Sequence, residues 1–105
     1  MIKESSIIEL KEKFGVTVLS GEIGFKFEDV FNVIDLYEKE KIPILGGDVY
    51  KKVKNKFLPA YDNWCIDKEI YMTDKEYLEK SILETRIYIQ NYSKKENIVF
   101  VLVPN

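Results

Sequence analysis

Four carboxylates outside the regular parts of the chain, Glu22, Asp48, Asp62 and Asp67, are the side chains best suited to chemistry. Two of them could share acid and base work, or hold a divalent cation through oxygen, with Glu22, Asp48 and Asp62 as the set for such a carboxylate-dependent site. Their spacing matches no metal loop, and carboxylates in turns commonly bond the local backbone. The chain has no histidine. That removes the usual general base near neutral pH, the imidazole of nucleophile systems and the commonest metal ligand. The single cysteine, Cys65, has no histidine to activate it, and is expected in the core beside Trp64 and Ile66. Gly21-Glu22-Ile23-Gly24 lacks the third glycine and the downstream lysine of a phosphate loop. No catalytic residue, metal site or cofactor is expected.

Recognition is better served. Tyr61-Asp62-Asn63-Trp64, followed by Tyr71, is the densest polar and aromatic cluster, and such residues are enriched where proteins bind one another. The competing reading is a structural corner, with Trp64 in the core, Asp62 and Asn63 on turn backbone and Tyr61 over an edge. Gly46-Gly47 marks either a bulge or turn, or a close approach of backbone to a partner with Asp48 presented beside it. Lys51, Lys52, Lys54 and Lys56 lie near Tyr50 and Tyr61 but also near Asp48, Asp62 and Asp67. They read as a solvated hairpin that resists edge-to-edge pairing, not as a nucleic-acid footprint.

These residues need a scaffold, and the periodicity supplies one. Ser5 to Phe14 is mostly helical in pattern and is stopped by Gly15. Val16 to Leu19 reads as a strand or extended segment before a turn at Ser20-Gly21. Phe27, Val30, Phe31, Ile34 and Tyr37 recur at helical intervals, with acidic residues in the first turn and lysines near the end. Ile42 to Leu45 is an apolar run in which Pro43 suits a sheet edge or a strand start. Asp48 to Ile66 fits a hairpin turning at Lys54-Asn55-Lys56, with Pro59 on the return strand, although Val49, Val53 and Phe57 also share a helical face. Thr73-Asp74-Lys75-Glu76 is a capping box. It opens a helix through Leu78, Ile82, Thr85 and Ile89 to Tyr92, with Glu79, Lys80, Glu84 and Arg86 left for solvent. Ile98 to Val103 is a continuous apolar run, as in a central strand buried on both faces. The expectation is one α+β domain over residues 1–105, a small mixed or antiparallel sheet packed against about three helices.

Bulk properties agree. The chain has 105 residues, 46% hydrophobic and 32% charged, a size at which one core is the default. A net charge of −2 creates no field favouring nucleic acid or anionic membrane. No segment approaches the roughly 18 apolar residues of a membrane span, and no secretory leader is seen. With a lone cysteine, this points to a reducing cytoplasm.

The order Gly46-Gly47-Asp48-Val49-Tyr50, then Pro59-Ala60-Tyr61-Asp62-Asn63-Trp64-Cys65, then a tyrosine-rich helix and Phe100-Val101-Leu102-Val103 resembles the immunity protein 40 family of bacterial polymorphic toxin systems. The resemblance covers roughly the C-terminal two-thirds of the chain. It implies a cytoplasmic, non-enzymatic protein that binds a cognate toxin encoded nearby and blocks its active site or substrate cleft. The candidate partner-binding residues it points to are Gly47, Asp48, Tyr50, Tyr61, Asp62, Asn63 and Trp64, and whether they touch toxin or hold the fold is left open. A carboxylate-dependent enzyme or cation-binding protein, and an adaptor or small-molecule sensor with an aromatic-lined pocket, are the alternatives.

Overall fold

The computed structural model describes residues 3–105. Eight elements follow along the chain: α1 (Lys3–Phe14), β1 (Val16–Thr17), β2 (Ile23–Lys26), α2 (Phe27–Lys39), β3 (Ile44–Val53), β4 (Lys56–Cys65), α3 (Asp74–Asn91) and β5 (Ile98–Pro104). The strands form one antiparallel sheet in the order β1-β2-β5-β3-β4. This is the expected α+β arrangement, with the sheet antiparallel throughout.

The helices cover one face. Val30, Val33, Ile34 and Tyr37 are the buried stripe of α2, and Tyr77, Ser81, Ile82, Thr85 and Ile89 that of α3. They close over Phe25, Val49, Trp64 and Phe100 from the strands. Arg86 ties the two helices together, donating from Nη2 to Asp35 at 2.7 Å and to Glu38 at 2.9 Å. In α3 the capping box is complete: the Thr73 hydroxyl accepts from the Glu76 N–H, and the Glu76 carboxylate accepts from the Thr73 N–H. A buried hydroxyl joins α3 to the sheet, with the Ile44 N–H donating to Ser81 Oγ at 3.1 Å.

The opposite face holds a smaller cluster of Val18, Tyr50, Val99 and Val101. The segment after β1 crosses it, with the Leu19 N–H donating to the Phe57 carbonyl at 3.0 Å and the Ser20 and Tyr50 hydroxyls 3.3 Å apart. β5 therefore lies between β2 and β3 and is buried on both sides, as its unbroken apolar run requires.

Two alternatives are decided and two expectations are revised. The early strand spans only Val16–Thr17 and the rest of the run is extended chain, because a turn opens at Val18, whose carbonyl accepts from the Gly21 N–H at 2.9 Å. Pro43 precedes β3 at a strand start, and β3 is interior to the sheet, so the edge reading fails. Arg86 faces α2 instead of open solvent. Cys65 is exposed, not in the core: β4 alternates sides, and with Trp64 turned inward its neighbour must turn out.

Candidate functional site

The β3–β4 hairpin carries every residue of the candidate set. It turns at Lys54, which adopts a positive φ of 58°, and its register runs from Val53 opposite Lys56 to Gly46 opposite Cys65. The register breaks between Asp48, opposite Asn63, and Tyr50, opposite Pro59. One residue of β3 there faces three of β4, so Ala60, Tyr61 and Asp62 bulge from the ladder opposite Val49 alone. Tyr61 sits in the bulge at a φ of +63°, a left-handed conformation that costs a residue with a Cβ about 1 kcal/mol or more, and its side chain is 88% exposed.

The pleat and the bulge divide the seven candidates. Trp64 turns inward and is only 9% exposed. Its indole Nε1 donates to Thr85 Oγ1 at 3.1 Å, and its ring stacks on Tyr88 with centroids 4.6 Å apart. Gly47 lies directly beneath that ring, where a Cβ would come within 2.3 Å of Trp64 Cη2. The close approach inferred for Gly46-Gly47 is thus made to the chain's own tryptophan. Tyr50 is 7% exposed in the smaller cluster. The Tyr50 and Trp64 side chains are buried, and Gly47 leaves room for the indole.

Four candidates remain accessible. Asp48 is half-buried and stands opposite exposed Asn63, on the sheet face away from the helices. Asp62 turns the other way, and its Oδ2 accepts from the Tyr92 hydroxyl at 2.6 Å. Sequence reasoning missed Tyr88 and the tie between Tyr92 and Asp62, although the interval of four from Tyr88 to Tyr92 beside buried Thr85 is the spacing of one helix flank. Their rings continue the line begun by Trp64: Tyr88 to Tyr92 at 6.1 Å, then Tyr92 to Phe100 at 5.7 Å, edge to face.

Burial chiefly, then the hydrogen bond to Asp62, the charge of Asp62 and that of Tyr88 push the Tyr92 phenol from 10.0 up to about 12. Burial likewise raises Tyr37, Tyr77 and Tyr88, helped in Tyr77 by Asp67 and Cys65 and in Tyr88 by Asp62. Between pH 10 and 12 the unfolded chain gives up the Tyr92 proton before the folded one does, so stability falls as pH rises through that window. Urea midpoints are expected to drop progressively from pH 10 to 12. Tyr92→Phe makes that slope shallower. A variant profile of unchanged slope would show that Tyr92 is not responsible.

The carboxylates do not assemble. Glu22 accepts from the Ser20 hydroxyl at 2.9 Å, while Asp62 is held by Tyr92. Among the described residues, no three His, Cys, Asp or Glu side chains come together in a way that could hold a metal ion. Asp48 and Asn63 line a shallow depression of about 320 Å³ that also reaches Gly46, Cys65 and Val103. No helix of the described residues is long and apolar enough to cross a membrane.

Comparison with curated proteins and with solved structures finds no match. The family model described as immunity protein 40 matches residues 9–104. The match starts within α1 and ends on the last residue of β5, so it spans the whole sheet, the bulged hairpin and the ring-stacked helix α3. On that match over nearly the whole sequence, the chain belongs to the immunity protein 40 family.

Proposed function

We propose that this immunity protein neutralises a cognate toxin domain, encoded beside it in a bacterial genome, by binding the toxin in the cytoplasm and obstructing its active site or substrate cleft. Tyr61 is the observation that carries this reading. A large aromatic side chain is held almost wholly in solvent, on a backbone conformation that costs energy, and gains nothing there in the free protein. An inhibitor gains from such a residue when the ring enters a partner's pocket. Asp62, fixed by Tyr92, stands beside it, and Asp48 and Asn63 flank it on the other sheet face. Gly47, Tyr50 and Trp64 serve the interface by making its base rigid, which lowers the ordering cost of association.

Binding, not turnover, is the activity proposed, and it asks for no cofactor. The test is co-expression with the product of the adjacent reading frame, scored by growth and by co-purification. Rescue of growth together with capture of the neighbour supports the reading. Toxicity that persists at full expression of this chain, or a neighbour that does not co-purify, refutes it.

A further inference from the structure

Resting on the toxin-binding reading, the geometry points to one docking face, running from Tyr61 over the outer side of α3, and to a basic surface with an apolar centre as the part of the toxin it fits. The sheet-facing stripe of α3 is Ser81, Ile82, Thr85 and Ile89. Leu83 and Ile87 lie one turn apart on the side away from it, 58% and 46% exposed. That side of a helix is ordinarily polar, and two neighbouring aliphatic side chains there cost solubility without adding to the core.

The pair is continuous with the bulge. A depression of about 550 Å³ is lined by Glu84, Ile87, Tyr88, Asn91 and Tyr92. At its far end the Tyr92 hydroxyl reaches Asp62, and Tyr61 follows. Aliphatic and tyrosine side chains thus make one strip, with rings held by stacking on Trp64.

Charge specifies the partner. Glu84 and Asp62 border the strip, and neither takes part in any ion pair formed among the described residues. Three neighbouring cations are turned away, while Lys94, next to Ser93 at the end of the depression, stands exposed. Lys80 donates to the Asp67 carbonyl, Arg86 to Asp35 and Glu38 on α2, and Lys95 to the carbonyls of Gln90 and Tyr92 that end α3. What remains is an apolar and aromatic centre flanked by two carboxylates outside any ion pair, in excess of the one lysine, Lys94, at its end. Lysine or arginine around an apolar patch complements that pattern, whereas an acidic protein surface or a nucleic acid is repelled by it.

The probe is the product of the adjacent reading frame, titrated against purified wild type and variants, with growth rescue scored in parallel. Ile87→Lys and Leu83→Lys are each expected to weaken binding at least ~30-fold, the scale of an interface hot spot, and to lose rescue. Glu84→Lys is expected to weaken it ~10-fold at low salt and less at high salt. Ile8→Lys, at an exposed aliphatic residue of α1, leaves affinity within ~3-fold and controls for added charge alone. Ile87→Ser repeats the test without a charge, and thermal melts within a few degrees of wild type show that each variant is folded.

If wild type binds and protects but the α3 variants do so equally, the docking face is wrong and the toxin-binding reading stands. Tighter binding by Glu84→Lys overturns the basic partner surface. If wild type itself neither binds nor protects, both proposals fall.

Discussion

Replacing Trp64 with alanine is expected to remove about 3–5 kcal/mol of stability, the cost of deleting a buried aromatic side chain. The indole packs over Gly47, stacks on Tyr88 and joins the cluster that includes Phe100. Its loss leaves a cavity and strands the Thr85 hydroxyl, which is fully buried and takes its hydrogen bond from Nε1. Against the roughly 5–15 kcal/mol that holds a domain together, this is about a fifth or more. Urea titration should show it directly, and the melting temperature should fall by at least about 12 °C. Trp64→Phe keeps a ring against Tyr88 but not the donor to Thr85, and should cost about 1–3 kcal/mol. Tyr61→Ala, by contrast, should stay within about 0.5 kcal/mol of wild type, because that ring touches mostly water. A Trp64→Ala protein that melts within a few degrees of wild type would falsify the anchoring role. The contrast also guides binding studies, since lost binding in a Trp64 variant would report an unfolded hairpin and not a lost contact.

Much of this scaffold was legible before any coordinates. The α2 stripe, the Thr73–Glu76 box, the turn at Lys54 and the central β5 each follow from a short pattern whose energetics are local: one apolar face, one cap, one turn, one unbroken run. Cys65 and Arg86 differ from expectation because their surroundings are set by elements distant in sequence, and of the two places open to Pro43 only the strand start is taken. Arg86 looks solvent-facing within α3 alone, yet α2 brings Asp35 and Glu38 to it. Whether β3 is an edge depends on β4 pairing beyond it, which Ile42 to Leu45 cannot record.

The candidate site was half legible for a related reason. Tyr61, Asp62, Asn63 and Trp64 look like one cluster because they are consecutive, but a strand sends neighbours to opposite sides. The two extra residues of the bulge then rotate Tyr61 out of the ladder, and no sequence pattern announced that insertion. Of the structural-corner reading, the buried Trp64 is what the fold shows, while Tyr61 stands in solvent and Asp62 is held by the Tyr92 hydroxyl. Leu83 and Ile87 carried a usable signal that the core stripe obscured: aliphatic residues spaced by four on the face left for polar ones.

Gly47→Ala is the sharper test of that interior, because it adds a single carbon. The new Cβ would stand 2.3 and 2.6 Å from Trp64 Cη2 and Cζ2, and 2.5 Å from the Val101 carbonyl oxygen. Neither neighbour yields easily. The indole is held between Tyr88 and its bond to Thr85, and Val101 lies on the central strand β5 with its side chain in the opposite cluster. The expected cost is about 3 kcal/mol, at the upper end for overpacking by one methyl group. Combining it with Trp64→Ala separates the two obstacles. Removing the indole opens room for the methyl group, so the double variant should be more stable than the sum of the single losses predicts, by about 1–2 kcal/mol. The clash with the Val101 carbonyl persists in that background, so Gly47→Ala should still destabilise a protein that already lacks Trp64. Strict additivity in urea titrations of the four proteins would mean that the glycine is required by β5 alone and that the ring above it can move aside.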